Sequence, residues 1–197
     1  MKEVHTTRTS ENNQTIPRII IFDLHETLAL FTIDYRKMRA KLSTDLGENF
    51  DRIMEKINNL DGDRKKQALA ILEASEMESL RDLKLIQYAD KVLEKAKQKN
   101  YQICLVTLQG RSTVQRILAS LNIDTFDYIV TRDELTDRKE QISSCINHFK
   151  ADPKGVIVIG DKENDYSSAN SLGCKAYLVK KVSSIPYLGL DELVDIL

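Results

Sequence analysis

Apolar positions along the chain follow two patterns, and their order predicts the architecture. Two short unbroken runs, Ile19-Ile20-Ile21-Phe22 and Val156-Ile157-Val158-Ile159, are rich in β-branched residues. They read as strands buried on both faces. Each ends abruptly on polar residues, the first at Asp23 and the second at Gly160-Asp161. Tyr101 to Val106, Asp127 to Val130 and Cys174 to Val179 are three further strand-like runs. Between them the apolar residues recur at helical spacing. Ala89, Val92, Leu93 and Ala96 form one set, and Val114, Ile117, Leu118 and Leu121 a second. Ile142, Cys145, Ile146 and Phe149 form a third, and Leu190, Leu193, Val194 and Leu197 a fourth. Strands alternating with helices predict an α/β domain of three layers, a five-stranded parallel sheet with helices on both faces.

One stretch breaks the alternation. From Thr32 to Leu85 the spacing is helical and no strand is expected. Tyr35, Met38, Leu42 and Leu46 share a face, and Phe50, Ile53, Met54 and Ile57 repeat the pattern. Asp61-Gly62-Asp63 is a break, with Asp63 as the expected cap of a longer helix through Leu69 and Leu72. An insertion of this length exceeds a plain βα loop. The expected organisation is a polar arm over 1–17, a core domain over 18–31 and 86–197, and a helical insertion over 32–85. A helix is expected to start at Ser112 or Thr113.

Composition narrows the class of protein. The chain has 197 residues, 42% apolar and 30% charged, with net charge −1. Those are globular proportions, and the scattered lysines and arginines give no footprint for nucleic acid. No apolar run approaches the ~20 residues of a membrane span, and Met1 to Pro17 lacks the apolar core of a signal peptide. Cys104, Cys145 and Cys174 are far apart and odd in number, which reads as reduced structural thiols. The expected location is cytoplasmic. Monomer and homodimer both remain open.

Parallel strands bring their carboxyl ends to one edge, where ligands of open α/β sheets bind. Asp23 and His25 follow the first strand, Thr107 the second, Lys139 the loop after the third, and Asp161 and Asp165 the fourth. Three carboxylates around one point repel unless a cation joins them, and oxygen-only ligation favours Mg²⁺. A hydroxyl, free loop amides and a lysine are what a phosphate needs. A carboxylate beside a phosphate site suggests attack on phosphorus.

These residues resemble the four motifs of the haloacid dehalogenase superfamily of hydrolases. The match runs through Phe22-Asp23-Leu24-His25-Glu26-Thr27-Leu28, Val106-Thr107, Lys139 and Gly160-Asp161-Lys162-Glu163-Asn164-Asp165. Among members, the chain is most similar to the phosphoglycolate-phosphatase-like group. The resemblance implies a Rossmann-like core, and the helical insertion looks like the small cap found after the first motif. It implies Asp23 as nucleophile, forming an aspartyl-phosphate on a small phosphorylated metabolite. Thr107 and Lys139 would hold phosphoryl oxygens. Asp23, Asp161, Asp165 and the main-chain carbonyl of His25 would bind Mg²⁺. His25 stands where family phosphatases usually carry a second Asp, the general acid–base. Histidine is chemically apt for both roles. The departure leaves open a catalytically weak relative that binds phosphometabolites or a partner protein, and a dehalogenase-type hydrolase.

Overall fold

The central strand of the protein is also its most buried. In β1 (Ile19–Phe22) all four side chains are inaccessible. The structure, a computed structural model, describes residues 18–182, 185 and 187–197. The arm expected over 1–17 lies outside the described residues.

The expected five-stranded parallel sheet is present. It consists of β1, β4 (Gln102–Val106), β5 (Tyr128–Val130), β6 (Val156–Gly160) and β7 (Lys175–Leu178), in the order β5-β4-β1-β6-β7. Two short strands outside it, β2 (Ala29–Leu30) and β3 (Lys84–Leu85), pair antiparallel. Side chains alternate between the sheet faces. Ile20, Phe22, Ile103 and Leu105 pack with α4 (Ala89–Gln98), α5 (Arg111–Ser120) and α8 (Leu190–Ile196). Ile19, Ile21, Cys104, Val106 and Val158 pack with α6 (Arg138–Phe149) and α7 (Glu163–Ser171) on the other face. All three cysteines are buried and free. Among the described residues no helix is long and apolar enough to cross a membrane.

Register positions the site. Phe22 lies opposite Leu105 on one side and Ile159 on the other, so β1, β4 and β6 finish level. Pairing continues past the strands: the Asp23 amide donates to the Ile159 carbonyl (2.9 Å), and that of Thr107 to Val130 (3.0 Å). Helix α4, after β1, covers one face, and α7, after β6, covers the other. The chain therefore changes side between β1 and β6, the kind of switch point at whose strand ends ligands of open α/β sheets bind.

Three helices follow β2, namely α1 (Tyr35–Leu46), α2 (Ile53–Asn58) and α3 (Gly62–Ser79). They close over their own core of Met38, Leu42, Phe50, Ile57, Ala68, Ile71 and Leu72. Asp34 caps α1 by accepting from the Lys37 amide (2.9 Å), and Gly47 ends it in the left-handed region at φ 72°. Three local expectations are corrected. Lys84–Leu85 is a strand, because two residues are too few to show a period of two. Asp61, not Asp63, is the N-cap of α3, and Asp63 lies in its first turn. Helix α5 starts at Arg111, because Gly110 ends the loop one residue early.

Candidate active site

The carboxyl ends of β1, β4 and β6 converge on one guanidinium. Arg138 is the first residue of α6, and its side chain is 8% exposed. Its Nη2 donates to Asp23 Oδ1 (2.7 Å), its Nη1 to the Val106 carbonyl (2.8 Å), and its Nε pairs with Asp165 Oδ1 (2.9 Å). A planar fork with fixed donors holds both carboxylates in place, which a lysine's point charge cannot do. Asp165 is gripped again through Oδ2, which accepts from the Lys162 amide (3.0 Å). The second oxygen of Asp23 is held only weakly, by Thr27 Oγ1 at 3.3 Å. Gly160 leaves room for this arrangement, since a Cβ there would fall on the Asp165 carboxyl.

Asp161, at the end of β6, has its own cations. It is 1% exposed, and both its oxygens accept from Lys162 Nζ (3.1 and 2.8 Å). Lys180 Nζ lies 2.7 Å from Oδ2. Both lysines also reach Glu26 Oε2, Lys180 at 2.8 Å and Lys162 at 3.4 Å. Glu26 adopts a left-handed backbone, φ 64°, in the turn after β1. That turn brings its side chain within reach of residues more than 130 positions away.

The local field is strong. Burial pushes the Asp23 carboxyl up to about 7, against the opposing charge of Arg138 and with the help of Asp165 and Asp161. The hydrogen bond from Lys180 pulls the Glu26 carboxyl down to about 2, against partial burial, with the charge of Lys162 assisting. Burial works against the charge on Arg138, yet Asp23 and Asp165 hold its pKa above the ordinary value. The same opposition, with Asp161 winning, raises Lys162 and Lys180.

Asp23, Asp161 and Asp165 thus meet, as their strand ends require. Lys139 does not join them. It is exposed on the first turn of α6 and makes no ion pair among the described residues. Arg138 takes the inward position, because successive helical residues point about 100° apart. Thr107 is buried, with its hydroxyl bonded to the Gln109 side-chain oxygen. His25 is half-buried, its ring against Phe31 (centroids 4.3 Å apart). Its Nε2 lies 2.8 Å from the Phe31 carbonyl and donates to it, which leaves Nδ1 as the ring nitrogen without this bond. The sequence reading missed Arg138, Lys162, Lys180 and Glu26. For Arg138 a signal existed: Asp137 and Glu140 have the spacing of a helix N-terminus, and Asp137 accepts from the Glu140 amide (3.0 Å). That start makes residue 138 the first inward position.

The donor set fits a hard divalent cation. Asp23 and Asp161 offer carboxylate oxygens, and Mg²⁺ takes only one or two carboxylates, with water and substrate phosphate completing its shell. Among the described residues no three acidic, histidine or cysteine side chains form a ready chelating cluster. Arg138 and the two lysines divide the carboxylates instead.

A parallel sheet covered on both faces, with buried carboxylates at its carboxyl edge, defines a three-layer α/β/α architecture of Rossmann-like type. Residues 20–179 match the family model described as haloacid dehalogenase-like hydrolase. The chain belongs to that family. Solved structures of similar fold include a predicted phosphoglycolate phosphatase from Haemophilus somnus. It is 21% identical, with 93% of this chain and 98% of that one covered at a TM-score of 0.67. A hydrolase of the superfamily from Ehrlichia chaffeensis is 23% identical, covering 92% and 96% at a TM-score of 0.62. A phosphatase from Thermococcus onnurineus is 20% identical, covering 91% and 97% at a TM-score of 0.61. No curated protein sequence matches this chain.

Proposed function

We propose that the protein is a Mg²⁺-dependent phosphatase of a small phosphorylated metabolite, with Asp23 as nucleophile. One observation carries this reading. Asp23 ends the central strand, buried, with Oδ1 fixed by Arg138 and Oδ2 nearly unclaimed. Oδ2 is the attacking atom: it bonds to phosphorus as the ester P–O bond breaks, and the departing alkoxide takes its proton from solvent water. Water then attacks phosphorus, and the aspartyl P–O bond breaks to restore the carboxylate and release phosphate. Arg138 keeps the carboxylate oriented through both steps. Thr107, released from Gln109, and the loop amides hold phosphoryl oxygens. Asp23, Asp161 and the His25 main-chain carbonyl would hold the cation, with Asp165 behind them. When bound, the cation neutralises charge on the phosphoryl group. His25 accepts the proton of the attacking water at Nδ1.

The test is hydrolysis of a generic phosphate ester, with and without Mg²⁺, by wild type and Asp23→Asn. Turnover by wild type with Mg²⁺, falling on the order of 10⁴-fold or more in the variant, is expected. Equal rates would sink the reading. A second reading, a catalytically weak relative that binds phosphometabolites or a partner protein, draws on the bond tying His25 to Phe31. His25→Asp separates the two. A gain in rate favours the weak relative, and a loss makes histidine the working acid–base group.

A further inference from the structure

Asp161 is satisfied in an unusual way for a carboxylate at the mouth of a site. Its carboxyl is 1% exposed, yet the two ammonium groups that neutralise it belong to side chains that are 59% and 45% exposed. Arg138, by contrast, is buried with its partners and cannot leave without exposing them. Lys162 and Lys180 have long flexible stems facing solvent, and Glu26, 38% exposed, already shares both. These two ammoniums therefore have somewhere to go.

We propose that Lys162 and Lys180 form a displaceable latch on Asp161, a built-in counter-cation that a divalent metal must evict. The proposal rests on the metal reading above. In the metal-free protein the lysines quench the repulsion among Asp161, Asp23 and Asp165 and so protect the fold. A divalent ion at Asp161 supplies that charge itself, and like charges at a few ångströms repel strongly when partly desolvated. The lysines then swing to Glu26 and solvent. The latch lowers metal affinity in exchange for stability without metal.

The test uses Mg²⁺ alone, without substrate, titrated calorimetrically into the full chain. Thermal melting is recorded with and without the ion. The double variant K162M/K180M is expected to bind Mg²⁺ tighter than wild type by about tenfold or more. It melts lower than wild type without metal and gains more from saturating Mg²⁺. K180M alone, with one ammonium left, is expected to fall between the two and serves if the double variant does not fold. K162R/K180R retains the charges and stays near wild type. K97M/K99M, exposed at the C-terminal end of α4, removes two charges elsewhere and leaves affinity unchanged. Equal Mg²⁺ affinity in wild type and K162M/K180M overturns the latch while leaving the metal site standing. An equal gain in K97M/K99M also overturns it. Absence of Mg²⁺ binding in every variant overturns the metal reading and the latch together.

Discussion

Two ionic networks built on buried carboxylates tie this molecule together, one closed inside it and one at its sheet edge. Where the helical insertion meets the core, Glu76 of α3 pairs with Arg132. The same carboxylate accepts from Thr113 Oγ1 (3.0 Å) and the Gly110 amide (3.3 Å), while Arg132 donates to the Leu108 carbonyl (3.0 Å). One anion meets one cation, and the pair is 4% and 2% exposed. At the sheet edge, four carboxylates (Asp23, Glu26, Asp161, Asp165) face three cations (Arg138, Lys162, Lys180). Both networks contain buried carboxylates, so a buried anion alone does not distinguish a joint from a site. The ratio of groups does: the joint pairs one carboxylate with one guanidinium, whereas at the edge the carboxylates outnumber the cations by one.

Removing the hub of the unbalanced network has the largest expected effect. Arg138→Met strips the cation from two buried carboxylates, and breaking a buried pair from one side costs about 3–5 kcal/mol. The rate falls with it, on the order of 10²–10³, because Asp23 loses its orientation. Urea denaturation with and without Mg²⁺ checks the first effect. The comparison predicts partial rescue by the ion, since added positive charge answers the same deficit. Wild-type stability in the metal-free variant would break it.

The balanced network responds differently. Glu76→Leu leaves the Arg132 guanidinium buried without its anion, again about 3–5 kcal/mol. Arg132 already carries an unpartnered Nε, so no spare acceptor is at hand. Removing both charges in Glu76→Leu/Arg132→Leu recovers most of the loss, because an apolar pair of similar volume costs little. Mg²⁺ rescues neither variant, and turnover per folded molecule stays within a few-fold of wild type. Melting curves paired with active-fraction rates check this. A rate loss in Glu76→Leu at full folding would make the joint part of the site.

The contrast also explains what the sequence made legible. Asp23 and Asp161 stand out because each ends an unbroken apolar run, and the β-α order alone brings those ends together. Arg138 and Lys139 are adjacent cations, and only the phase of α6, set by the cap at Asp137, decides which one turns inward. Lys180 and Glu26 lie 154 positions apart, and their meeting depends on a left-handed turn at Glu26 that composition does not announce. Glu76 sits in a long helix with many other charges, and its burial appears only when α3 docks on α5. Strand ends are local facts of the sequence, whereas ion-pair partners are facts of packing.

Smaller losses of stability than from breaking either ion pair are predicted at the two glycines against which these networks lean. A Cβ at Gly110 would meet Arg132 Nη2 at 2.8 Å, at the tip of a long side chain. A Cβ at Gly160 would overlap the Asp165 carboxyl and its Cβ, a short side chain held from two sides by Arg138 and the Lys162 amide. The second obstruction cannot be relieved by bending a flexible stem. Overpacking of this kind costs about 1–3 kcal/mol, and here the displaced group is Asp165, through Arg138 the neighbour of Asp23. Gly160→Ala is therefore expected to lower turnover by about tenfold or more while the protein still folds. Gly110→Ala is expected to cost about 1 kcal/mol or less of stability and to leave turnover unchanged. Rates normalised to folded protein, with melting curves alongside, separate the two. Similar rate losses would mean that the two networks are coupled through β4, and the ratio of groups would no longer tell the joint from the site.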